Sequence, residues 1–88
     1  HIPDVSHIKS EGNYIRIFHS KGSVLTLGSL SKFIEELPDY FVRCHRSYLV
    51  NVKKVNSIHS ESIEVVDGQE IPLTSAHKEE VLGMIKAL

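Results

Sequence analysis

Cys44 and His45 stand side by side in the stretch "FVRCHRSYLVN", residues 41–51. A thiol beside an imidazole is the pairing that makes a nucleophile, because the ring can take the thiol proton. On an extended strand, however, neighbouring side chains leave on opposite faces, which keeps the ring from the sulfur. A cysteine buried for packing is the plainer reading. Six histidines (His1, His7, His19, His45, His59 and His77) raise the question of a metal. They make no H-x-x-x-H pair, no H-E-x-x-H helix and no spacing with a cysteine partner. Neither a metal nor a cofactor is expected. Glu35-Glu36 and Glu79-Glu80 are neighbours on predicted helices and face different directions, so they read as solubilising residues. No Gly-rich phosphate loop and no G-x-S-x-G turn is present. An enzyme has no constellation to stand on.

What remains are polar residues where strands meet loops. Gly12-Asn13-Tyr14 opens a strand, Asn51 closes one ahead of Lys53 and Lys54, and Ser75-Ala76-His77-Lys78 opens the last helix. Asparagine, arginine and histidine can hydrogen-bond base edges, and lysine neutralises phosphates. Each also has a scaffolding alternative: Asn13 in a turn, Asn51 tying off a strand, His77 and Lys78 on a solvated helix face. Loops held by a rigid scaffold are where binding concentrates.

The net charge of −1 does not mark a nucleic-acid binder. Its distribution is more informative. Residues 41–60 carry Arg43, Arg46, Lys53 and Lys54 with no acid, whereas residues 61–70 carry Glu61, Glu64, Asp67 and Glu70 with no base. This segregation either makes a local field or pairs two strand faces across a hairpin.

The elements that must position these groups are mostly strands. The chain has 88 residues, one small domain, with an ordinary 41% apolar content. Period-two patterning predicts strands at Val5–Ile8, Tyr14–His19, Val24–Leu27, Val55–Ile58, Ile63–Val66 and Ile71–Leu73. Ser20-Lys21-Gly22-Ser23 and Asp67-Gly68 supply turns. Leu30, Phe33, Ile34 and Leu37 make one helical stripe, capped by Ser29 or Ser31 and stopped by Pro38. A second helix spans about Ser75 to Leu88, with Thr74 or Ser75 accepting at its start and Gly83 weakening its C-terminal half. The single cysteine fits a reducing compartment, and no apolar run is long enough to span a bilayer. The start at His1-Ile2-Pro3 reads as a fragment of a longer protein.

The central stretch resembles the core motif of the LytTR domain, the DNA-binding domain of LytR- and AgrA-type bacterial response regulators. Phe41, Arg43, His45, Ser47, Val50 and Asn51 match that motif. Ser10-Glu11-Gly12-Asn13-Tyr14, Gly28-Ser29-Leu30, Asp67-Gly68, Ile71-Pro72 and Ser75 match its flanks, so the similarity covers nearly the whole chain. The resemblance implies a mainly β fold: an elongated set of short antiparallel sheets with one short internal helix and a C-terminal helix. Residues 1–88 would be a single domain lacking the family's first strand and an upstream receiver domain.

The resemblance further implies sequence-specific binding of double-stranded DNA, in direct-repeat sites, by loops inserted into the grooves. The setting is the bacterial cytoplasm, in a two-component transcription regulator that can dimerise on DNA. Carried over, the base contacts are Asn13, Asn51 and His77. The family often has arginine near the last position, and Lys78 can substitute for it. Arg46, Lys53, Lys54 and Lys78 would meet phosphates. Phe41, Cys44 and Tyr48 would pack, while Arg43, His45 and Ser47 hold the turn. The alternative from a different class is a protein-interaction module that uses exposed strand edges.

Overall fold

Residues 2–88 are described by a computed structural model. The first strands form where period-two patterning meets short turns. Strand β1 (Val5–Glu11) returns as β2 (Tyr14–His19) through Gly12-Asn13, with Glu11 opposite Tyr14. Gly12 takes a φ of 64° while Asn13 keeps a negative φ. That is the type II′ pattern, whose twist matches that of the flanking strands. Strand β3 (Gly22–Leu27) follows the two-residue turn Ser20-Lys21, so Gly22 and Ser23, expected in the turn, lie in the strand.

Helix α1 is a single turn, Leu30–Phe33, with the Ser29 hydroxyl accepting from Lys32 N–H at 3.4 Å. A 3-10 turn at Ile34–Glu36 continues it. Leu37, before Pro38, is then extended with ψ of 156°, as proline requires of its predecessor. The apolar stripe of the sequence is intact on a shorter helix. Strands β4 (Phe41–His45) and β5 (Tyr48–Asn51) complete a five-stranded antiparallel sheet ordered β3-β2-β1-β5-β4. A 3-10 turn at Val52–Lys54 leads into a second sheet, β6 (Val55–Ile58), β7 (Ser62–Val65) and β8 (Glu70–Pro72), in that order. Helix α2 (Ser75–Lys86) closes the chain and runs past Gly83 without a break.

Two cores lie on opposite faces of the five-stranded sheet. Val5, Ile8, Ile15, Phe41 and Leu49 pack with Leu30 and the α1 stripe. Val42, Cys44, Val50 and Val52 pack against Ile63, Val65, Ile71 and Leu73 of the second sheet and Val81 of α2. Burial of each such side chain contributes roughly 1.5–3 kcal/mol. On the second face His7 is also buried, stacked on Phe18 with ring centroids 4.2 Å apart.

The opposite charges of residues 41–60 and 61–70 do not pair across a hairpin. Glu64 and Glu70 accept from the hydroxyls of Ser57 and Ser62, 2.9 and 2.8 Å away. Among the described residues the ion pair is Arg16 with Glu11.

Candidate nucleic-acid interface

The middle of the opening stretch is a turn, not strand. Arg46-Ser47 joins β4 to β5, and Cys44 is an extra residue in the ladder: Arg43 opposes Leu49 and His45 opposes Tyr48. This is a β-bulge, which bends a strand and re-aims side chains. Simple alternation therefore fails here, and both Cys44 and His45 approach Tyr48. The Cys44 thiol points at the Tyr48 carbonyl, 3.8 Å away, and the His45 ring meets the Tyr48 ring edge-on at 5.6 Å. They still make no dyad. His45 Nδ1 accepts the Ser47 N–H at 3.0 Å, and burial pushes the Cys44 thiol up to about 12. The Arg43 guanidinium donates to the Arg46 carbonyl at 2.7 Å and to the Ser31 hydroxyl at 3.4 Å. Arg43, His45 and Ser47 thus hold the turn. Arg46 itself is exposed, with no side-chain partner among the described residues.

Two backbone bonds place this turn among others. Ser10 N–H donates to the Ser47 carbonyl at 2.9 Å, which sets the Gly12-Asn13 turn beside it. Thr74 N–H donates to the Cys44 carbonyl at 3.0 Å, which brings the start of α2 alongside. One end of the molecule therefore carries Asn13, Arg46, His77 and Lys78. Asn13 is exposed. His77 Nδ1 lies 2.7 Å from the Thr74 hydroxyl, which therefore makes no cap bond to a backbone N–H, contrary to expectation; the Thr74 carbonyl accepts from His77 N–H at 3.0 Å. A groove of about 530 Å³ runs along this end between His45, Ser60, Glu61 and Ser75. The acid nearest the first turn is masked: Arg16 donates to Glu11 at 2.8 and 3.3 Å, and this hydrogen bonding holds the carboxyl below its usual range.

Asn51 is a correction. It is 1% exposed, its amide donates to the Val5 carbonyl at 2.8 Å and its carbonyl accepts from Lys53 N–H at 2.9 Å. A side chain this buried, with its amide nitrogen and oxygen both tied to backbone, does not reach a base edge. It also sits at the wrong end: six strand residues, about 20 Å at ~3.3 Å each, separate Val5 from Glu11. Lys53 and Lys54 share that distant end. Lys53 Nζ lies over the Tyr40 ring, 4.3 Å from its centroid. Lys54 lines a cleft with Asp4 and Asp67. Thus Asn13, Arg46, His77 and Lys78 come together and Asn51, Lys53 and Lys54 do not.

Treating Cys44-His45 as extended strand hides the tip position of Arg46, which the sequence suggests only for a phosphate. The signal was present in three consecutive polar residues, His45-Arg46-Ser47, which interrupt the alternation.

Comparison with known proteins agrees with this architecture. A comparison with curated proteins finds no match. A solved LytTr DNA-binding domain, from a putative methyl-accepting/DNA response regulator of Bacillus cereus, has a similar fold with a TM-score of 0.81. It is 24% identical, and the match covers 93% of this chain and 84% of that one. The family model described as the LytTr DNA-binding domain matches residues 1–86. Since that is nearly the whole chain, carrying the motif, the bulged turn and both sheets, the protein belongs to the LytTR family of DNA-binding domains.

Proposed function

We propose that the chain reads duplex DNA with the end formed by the Gly12-Asn13 turn, the Arg46-Ser47 turn and the start of α2. The observation that carries this is their convergence through the Ser10–Ser47 and Thr74–Cys44 backbone bonds. Asn13, Arg46 and His77 are the base-reading candidates, with Arg46 and not Asn51 between the other two. Arginine is the commonest reader of guanine, through paired bonds in the major groove. Lys78 lies toward the phosphates. Asn13 and Arg46 stand on two-residue turns and His77 and Lys78 at the start of α2, and these segments are held by backbone bonds, so binding needs little ordering.

In this reading the domain is the output module of a bacterial cytoplasmic transcription regulator. A receiver domain elsewhere in the protein and direct-repeat sites follow from the same reading. The test starts by selecting bound oligonucleotides from a random pool. Arg46→Ala is then expected to lose about 5-fold or more against the selected site, the ~1–3 kcal/mol of one base contact, with its melting temperature unchanged. Lys53→Ala with Lys54→Ala is expected to leave the salt slope of binding in place, whereas each true phosphate contact removed lowers it by about 0.9. A slope reduced by the lysine pair and untouched by Arg46→Ala and Lys78→Ala would place the DNA at the other end.

A further inference from the structure

The five-stranded sheet has two edges, β3 and β4. At β4 the Cys44 carbonyl is taken by Thr74 N–H, and α2 packs along the strand. At β3 no such cover exists among the described residues. Val24, Leu25 and Leu27 are 52, 47 and 71% exposed. Natural edges are blunted by charge, proline, bulges or shortness. Strand β3, Gly-Ser-Val-Leu-Thr-Leu, has six residues, no charge and no proline, and its pairing with β2 runs without a register shift.

The edge also presents a regular row of backbone groups. Gly28 N–H donates to the Asn13 carbonyl, 3.1 Å away. By the alternation of an antiparallel ladder, Gly22, Val24 and Thr26 likewise turn their backbone groups to β2. Ser23, Leu25 and Leu27 turn theirs outward.

We infer that β3 is a self-association edge, on which a second copy of this chain pairs its own β3 antiparallel about a two-fold axis through Leu25. In that register Leu25 opposes Leu25 and Ser23 opposes Leu27, so every outward N–H and carbonyl of the three residues is satisfied. The two-fold keeps side chains on matching faces: the leucines of both copies gather on one, and Val24 meets Thr26 on the other. No like charges meet, because Lys21 falls opposite Ser29. An uncharged strand that complements itself fits another copy better than a charged partner segment. The contact is small beside the ~800 Å² per partner of a standard interface, so the dimer is concentration-dependent. The inference is independent of DNA binding.

Sedimentation equilibrium of the chain, up to about 1 mM, the range of a weak contact, is expected to show mass rising toward twice the monomer. Leu25→Lys, which sets two ammonium groups face to face, is expected to hold the protein at monomer mass with an unchanged circular-dichroism spectrum. A cysteine at Leu25 lies on the axis with Cα atoms about 5.5 Å apart, within disulfide reach, and is expected to cross-link on oxidation. A cysteine at Ser23 lies about 13 Å from its mate, four residues of ladder, and is expected not to. The native Cys44 is buried and does not compete. Monomer mass throughout, a dimer that survives Leu25→Lys, or equal cross-linking at both positions would each overturn the proposal.

Discussion

Replacing Asn51 by alanine removes one buried donor and one buried acceptor at once. The Val5 carbonyl and the Lys53 N–H, 2.8 and 2.9 Å from the amide, lose their partners. A buried group left unsatisfied costs about 1–3 kcal/mol. Lys53 is exposed, so water can reach its N–H and reduce that half of the loss. The sum is roughly 2–4 kcal/mol, and for a domain this size each kcal/mol lowers the melting temperature by about 4–8 °C. A fall of roughly 8–32 °C follows. Asn51→Asp keeps the acceptor for Lys53 but sets a carboxylate oxygen against the Val5 carbonyl, so it is expected to be no more stable than alanine at neutral pH. The assay is a urea or thermal melt beside DNA affinities for a selected site and an unrelated duplex, taken where the variant is still folded. The ratio of the two affinities is expected to stay at the native value. An unchanged melting temperature with a ratio reduced 10-fold or more would refute the anchoring role and return Asn51 to the DNA.

Arg43→Met is expected to weaken specific DNA binding without touching DNA, because the Arg46 carbonyl loses the guanidinium that fixes the turn; equal affinity for native and variant proteins would show that the turn holds itself. Cys44 is expected to resist thiol reagents in the native state, since burial keeps it protonated far above neutral pH, and Cys44→Ser is expected to cost about 1–3 kcal/mol; fast native labelling would contradict its burial. His7 is neutral in the fold because desolvation lowers its pKa to about 4, only partly opposed by Asp67. The unfolded chain binds a proton there near pH 6.5, so this contribution to stability is complete above that pH and is lost as pH falls toward 4. His7→Phe, which keeps the stack on Phe18, is expected to flatten that part of a stability–pH curve, and an identical curve for the variant would assign the acid sensitivity elsewhere.

Most of the fold was legible because it rests on local rules. Alternation in Tyr14–His19, glycine at the head of a two-residue turn and the Leu30-Phe33-Ile34-Leu37 stripe each translate directly into an element. What could not be read was set by contacts between distant residues. Asn51 is anchored by Val5, 46 positions away, and nothing in its neighbours distinguishes an anchor from a reader. The bulge at Cys44 is likewise a property of pairing with β5 and not of the stretch alone. The candidate site was half legible: Asn13 stands at the expected strand opening and His77 and Lys78 at the expected helix start, while the value of Arg46 depended on knowing which segments share an end.

The alternation of β4 and β5 has a consequence for how the domain comes apart. Phe41 and Leu49 enter one core while their immediate neighbours Val42 and Val50 enter the other. The backbone between such neighbours cannot be released on one side and kept on the other. Although two separate cores exist, they should melt as one cooperative unit. Amide hydrogen exchange should then report a single slowest class spanning β4, β5, their neighbour β1 and the second-sheet strands packed on them.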